Sequence, residues 1–129
     1  NDDQPYWMTT APPILSIPCQ SELDDVQLLW HRRVLTPRYP ALAEDGFRVL
    51  HGEGGRSFTL GIHPWLFGMP HRIRYLDETL ARLAQEIGRC PDLFIQVNTG
   101  EEDQDLLNYQ ITTVFVEQPL AKSEGLLTT

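Results

Sequence analysis

Hydrophobic and polar positions change period along this chain, and the changes mark its elements. Over Ser57-Phe58-Thr59-Leu60-Gly61-Ile62-His63, every second residue is apolar. That alternation predicts a strand with Phe58, Leu60 and Ile62 on one face and Ser57, Thr59, Gly61 and His63 on the other. Pro64 ends it, because proline cannot continue the ladder. Further on the period lengthens. Ile73, Leu76, Leu80, Leu83 and Ile87 recur at intervals of three and four, which predicts a helix from His71 to Ile87. Pro70 stands at its start, Gly88 just past its end and Pro91 beyond.

Shorter patterns fill the rest. The polar, proline-containing stretch from Asn1 to Pro13 reads as an irregular lead-in, and Ile14-Leu15-Ser16-Ile17 between prolines as a short strand. Ser21 and the acidic residues after it precede Val26, Leu28, Leu29 and Trp30, a turn entering a short helix. Thr36-Pro37 is a second helix start. Beyond it Tyr39, Leu42, Phe47 and Leu50 make an amphipathic face, and Gly52, Gly54 and Gly55 end it. Leu93 to Val97 reads as a strand, Asn98-Thr99-Gly100 as a loop and Glu101-Glu102-Asp103 as an acidic helix start. Leu107, Ile111, Val114 and Gln118 favour a helix by pattern, although Ile111 to Val116 is rich in β-branching. Lys122 to Thr129 is expected to be a flexible tail, leaving residues 1–121 as one domain. Strands alternating with amphipathic helices predict an α/β fold, βα units around a parallel sheet. No internal repeat interrupts this order.

Composition narrows the function classes. The 129 residues suffice for one core, and 41% hydrophobic with 22% charged residues is ordinary for a globular chain. A net charge of −8, with ten Lys and Arg mostly isolated, argues against nucleic acid or an anionic membrane as partner. No apolar stretch is long enough to span a bilayer, and no basic-apolar leader opens the sequence, so residence in the cytoplasm is expected. Cys19 and Cys90 form no CxxC unit; two thiols in a reducing compartment is the plain reading, a disulfide the alternative.

The residue with most chemical promise is His63, at the C-terminal end of a strand, where βα architectures place their functional surface. An imidazole there can act as general acid or base near neutral pH, or simply bond a loop carbonyl. Asp24-Asp25 is an acidic pair in a turn. It can cap the following helix, or supply a carboxylate that orients a histidine and raises its basicity. His31, His51 and His71 share no metal-ligand spacing with one another or with His63. His71-Arg72, in the first turn of the long helix, could hold an anionic group. Trp65 and Phe67 either line an apolar pocket or belong to the core. Neither a phosphate-binding glycine loop nor a nucleophile elbow is present.

The run from Leu60 to Leu76, with Ile62-His63-Pro64 leading to Gly68-Met69-Pro70-His71-Arg72 and a helix, resembles the last motif of polysaccharide deacetylase-like (NodB-type) proteins. The branch it is most similar to is that of the allantoinase-type and peptidoglycan deacetylase-like enzymes. Asp2-Asp3-Gln4-Pro5-Tyr6 and Ile17-Pro18 followed by Leu23-Asp24-Asp25 resemble earlier segments of that branch, in order and approximate spacing. Val97 to Glu102 is similar more loosely, and past about residue 111 the likeness ends.

The resemblance implies a partial, half-sized deformed (β/α) barrel of three or four βα units, related to hydrolases of C–N bonds in N-acetylated sugars or ureides. It implies His63 as the acid that protonates the leaving nitrogen and Asp25 as the carboxylate of the preceding motif; Trp65, His71 and Arg72 are the candidate substrate-binding residues. The family's Thr-Phe-Asp-Asp-Gly motif and His-x-x-x-His pair are absent from these residues, and Cys19 stands where an aromatic is usual. No metal or other cofactor is therefore expected. A truncated deacetylase-like module follows, without activity of its own, that forms a homo-oligomer, pairs with a complementary hydrolase chain or binds a small N-acetyl or ureide ligand. The alternative is a half-site active only with that complementary chain.

Overall fold

Short extended runs open the chain in a computed structural model that describes residues 4–18, 20–90, 93–99 and 109–115, the last two as backbone. Strand β1 (Tyr6–Met8) pairs antiparallel with β2 (Ile14–Ser16), Trp7 facing Leu15. A π-helical turn, Val26–His31, buries Leu28 and Leu29 and points its remaining large residue, Trp30, outward. A 3-10 turn, Thr36–Arg38, then feeds helix α1 (Tyr39–Glu53). Pro40 sits in the first turn of α1, where a missing N–H costs no hydrogen bond. Tyr39, Ala43 and Phe47 form its buried stripe. Gly54, at φ 71°, closes the helix in a conformation that a side chain would resist.

Strand β3 (Ser57–Ile62) is buried at every position, so both of its faces are covered. Phe58 packs edge-on against Phe47 of α1 at 5.5 Å. On the opposite face, Gly61 lies against the carboxylate of Asp24. The segment before the π-helical turn also holds the backbone at both ends of the strand. Gln20 donates to the Ser57 carbonyl at 2.6 Å, and Asp25 accepts from the His63 N–H at 2.7 Å.

A short helix α2 (Pro64–Phe67) follows directly, then α3 (Ile73–Gly88). The long helix starts two residues later than its pattern predicts, because the chain turns at Met69, whose carbonyl accepts from both Arg72 and Ile73. Its buried stripe is also rotated. Ile73 and Leu80 are exposed, while Thr79 and Leu83 are buried and Tyr75, Leu76 and Ile87 pack on the core. The Thr79 hydroxyl is satisfied by the Tyr75 carbonyl at 2.7 Å, which lets a polar residue sit inside.

Strand β4 (Leu93–Thr99) lies in a three-stranded sheet with order β3-β5-β4, where β5 is Tyr109–Phe115. β5 runs antiparallel to both neighbours. β3 and β4, linked through α2 and α3, therefore share a direction, but β5 stands between them, and every strand pairing among the described residues is antiparallel where the order of elements predicts a parallel sheet. The pattern over residues 107–118 favours a helix; at Tyr109–Phe115 the chain instead forms β5. Ile111, Thr112, Thr113 and Val114 are stiff at χ1 and suit a pleated surface, and two flanking strands offer ladder partners on both sides. The expected helix start at residues 101–103 and the tail from 122 lie outside the described residues, as does Cys19. Cys90 is a free, half-buried thiol. Among the described residues no helix is long and apolar enough to cross a membrane.

Candidate functional site

Adjacent acidic residues end up with different tasks. Asp24 caps the π-helical turn, its Oδ1 accepting from the N–H groups of Val26 at 3.0 Å and Gln27 at 3.2 Å. Its Oδ2 rests where a Cβ on Gly61 would have to stand, so only glycine lets this turn lie so close to β3. Asp25, next in line, is 0% exposed and reaches across to the end of β3.

There it holds His63 twice. Asp25 Oδ2 accepts from the His63 backbone N–H at 2.7 Å, and Oδ1 meets Nδ1 at 2.6 Å. A carboxylate only accepts, so Nδ1 carries the proton in this bond. Nε2 is left with its lone pair and makes no hydrogen bond among the described residues. The arrangement fixes both ring orientation and tautomer, the part a carboxylate plays behind a general acid or base. Burial raises the Asp25 pKa above the ordinary carboxylate value; the bonds from His63 oppose that shift and Asp24 adds to it. Tyr39, which donates to the Leu23 carbonyl at 2.5 Å, is raised as well, by its own burial and then by the two aspartates.

The resemblance names His63 and Asp25 as candidate residues from two separate motifs, and the fold brings them into contact. Trp65 sits beside them, its ring 6.1 Å from the imidazole. His71 is exposed, and Arg72 turns its Nη1 toward the Leu66 carbonyl at 3.4 Å. Among the described residues no hydrogen bond, ion pair or ring contact links either to the dyad. The Arg72 Nε is buried without a partner. Phe67 belongs to the core, packed edge-on against Tyr39 at 4.8 Å. Trp30 was missed. Its neighbours Leu28 and Leu29 are buried as the apolar run suggests, but Trp30 is exposed and meets Trp65 at 5.8 Å. Nothing in the local pattern separates it from them.

Asp24, Asp25 and His63 each offer a potential metal-ligating atom within 4.8 Å of the others. Of these atoms, Asp25 Oδ1 accepts the Nδ1 proton at 2.6 Å and Asp24 Oδ1 accepts from two backbone N–H groups. The His-x-x-x-His pair of the family resembled is absent from these 129 residues. Comparison with known protein families, with curated proteins and with solved structures finds no match.

Proposed function

We propose that this chain carries the proton-handling half of a carbon–nitrogen hydrolase site, of the deacetylase or ureide-hydrolase type, and is inactive by itself. The observation that carries the reading is the double hold of buried Asp25 on His63, which leaves Nε2 open. A positioned imidazole with its outward nitrogen unengaged can take a proton and return it to a leaving nitrogen. Cleavage also needs an activated water, and among the described residues no side chain hydrogen-bonds Nε2. A complementary chain supplying the nucleophile side completes the site. Under this reading the domain is half of a deformed (β/α) barrel whose βα unit is β3–α2–α3–β4; the antiparallel β5 lies largely past residue 111, where the resemblance ends. Residence in the cytoplasm belongs to the same proposal.

A second reading has its own support. Tyr6, Trp7, Met8 and Ile14 of the β1–β2 hairpin are exposed, so the chain also fits a module that self-associates or docks a partner, with His63 a remnant.

One experiment separates the two. The chain is mixed with a deacetylase N-terminal segment bearing the Thr-Phe-Asp-Asp-Gly and His-x-x-x-His motifs, plus divalent metal. Hydrolysis of N-acetylated oligosaccharides and of ureides is then followed. The expected outcome is activity in the mixture alone, lowered about 100-fold or more by His63→Ala. Activity of the chain by itself, an inert mixture, or indifference to His63→Ala overturns the proposal.

A further inference from the structure

Helix α1 enters the core through a side chain that reaches both sides of the dyad. Tyr39, its first residue, is 0% exposed. The Tyr39 hydroxyl donates to the Leu23 carbonyl at 2.5 Å, just ahead of Asp24 and Asp25. Its ring meets Phe67 of α2 edge-on, with centroids 4.8 Å apart and planes at 85°. Phe67 is tied in turn to His63, whose carbonyl accepts from the Phe67 N–H at 2.9 Å. The links close a circuit: Asp25 to His63, His63 to Phe67, Phe67 to Tyr39, Tyr39 to Leu23, and along the chain back to Asp25. Residues 20–24, which lead into Asp25, belong to no helix or strand. Gln20 anchors them to Ser57 at the far end of β3, and the Asp24 N–H reaches the Ser21 carbonyl at 3.3 Å. The Tyr39 hydroxyl fixes this segment at the end nearest Asp25.

We propose that Tyr39 is a positioning residue for the dyad: its hydroxyl holds the Asp25 segment and its ring holds α2 behind His63, so that the Oδ1–Nδ1 contact stays closed. Its bearing on catalysis rests on His63 being the proton donor of the site. A phenylalanine would fill nearly the same space and keep the ring contact, so the hydroxyl matters for the bond it makes. A buried hydroxyl without a partner costs stability, and the Leu23 carbonyl supplies that partner. Burial, and after it the charges of Asp25 and Asp24, push the Tyr39 pKa well above that of a free tyrosine. The hydroxyl therefore keeps its proton and remains a donor at neutral pH.

The test follows the His63 Nδ1 proton by NMR in the nitrogen-labelled chain, assigned by its absence from His63→Gln, and measures its exchange with water. Only opening of the contact exposes that proton, so its exchange rate scales with the open fraction. Tyr39→Phe should quicken exchange about three- to tenfold, the range that one lost net hydrogen bond supplies. Thr79→Val is the control. It deletes another buried hydroxyl, bonded to the Tyr75 carbonyl at 2.7 Å and outside the circuit. It should lower Tm by a similar amount and leave the exchange rate as in the wild type. Exchange in Tyr39→Phe no faster than in Thr79→Val overturns the positioning role and leaves Tyr39 a core residue. The two readings fail separately. Hydrolysis that depends on His63 in the mixture, with exchange indifferent to Tyr39→Phe, removes the positioning role alone; quickened exchange in Tyr39→Phe with hydrolysis indifferent to His63→Ala removes the proton donor alone.

Discussion

At the scale of single residues, the site turns on the difference between a carboxylate and an amide at position 25. Asp25 accepts from two donors, a backbone N–H that cannot change and a ring nitrogen that can. In Asp25→Asn only one oxygen remains, and the fixed backbone donor claims it. The new NH₂ then faces Nδ1, which must give up its proton, so the imidazole switches to the Nε2–H tautomer. Nitrogen NMR of the histidine ring should report that switch; an unchanged Nδ1–H signal would show that Asp25 does not set the tautomer. The same substitution alters the dependence of stability on pH. Burial raises the Asp25 pKa in the folded chain, so between the unfolded value near 3.8 and the folded one the native state binds the proton more readily. Its contribution is fully present below the unfolded value and is lost as pH rises through the folded one. Denaturant unfolding between pH 3 and 7 should show that decline in the wild type, with a shallower one in Asp25→Asn. Some of this was legible in the sequence. Capping and histidine orientation were both plausible for the acidic pair, and the chain assigns one to each residue. Which aspartate does which depends on how near Gly61 lets the turn approach β3, a tertiary fact.

Helices and strands answer to packing more than to their charged surfaces. Between α1 and α3, Glu44, Arg48, Arg82 and Glu86 form a chain of ion pairs at 2.7–3.0 Å. Solvent reaches most of it and screens it, whereas Phe47 is 1% exposed between α1 and β3. Phe47→Ala should cost about 3–4 kcal/mol by thermal or denaturant unfolding. Arg48→Ala should lower Tm far less, with the difference fading at about 1 M salt. A comparable loss from the two, independent of salt, would mean the ion-pair chain anchors the helices. The same ranking explains which elements the sequence disclosed. α1, β3 and the body of α3 follow their periodicity because one face of each meets the core. β5 departs from its 107–118 pattern because pairing with β3 and β4 satisfies its backbone along the whole strand, a benefit no local window registers. The stripe on α3 rotates because Thr79 can bury once its hydroxyl bonds back to Tyr75.

For the whole molecule, the telling feature is an apolar surface at the start of the chain, far in sequence from His63. Two three-residue strands make a hairpin with too few ladder bonds to be stable in isolation. Yet it presents Tyr6, Met8 and Ile14 to solvent beside Trp7. An open depression of ≈ 530 Å³, lined by Trp7, Met8, Thr9, Thr10 and Pro13, continues that surface. With a net charge of −8, the body of the protein repels copies of itself, so association has to come from a patch where apolar gain exceeds that repulsion. The hairpin is such a patch, and burying it would also stabilise the hairpin. Sedimentation velocity on the isolated chain should accordingly give a concentration-dependent mass above 14.8 kDa, more so as salt screens the charge. Trp7→Lys with Ile14→Lys should return the monomer without disturbing the His63–Asp25 contact, to which no hydrogen bond, ion pair or ring contact joins the hairpin among the described residues. A monomer at every concentration and salt would leave the hairpin to a different chain, and the complementary hydrolase half, added to the same cell, should then sediment with the wild type and not with the double variant.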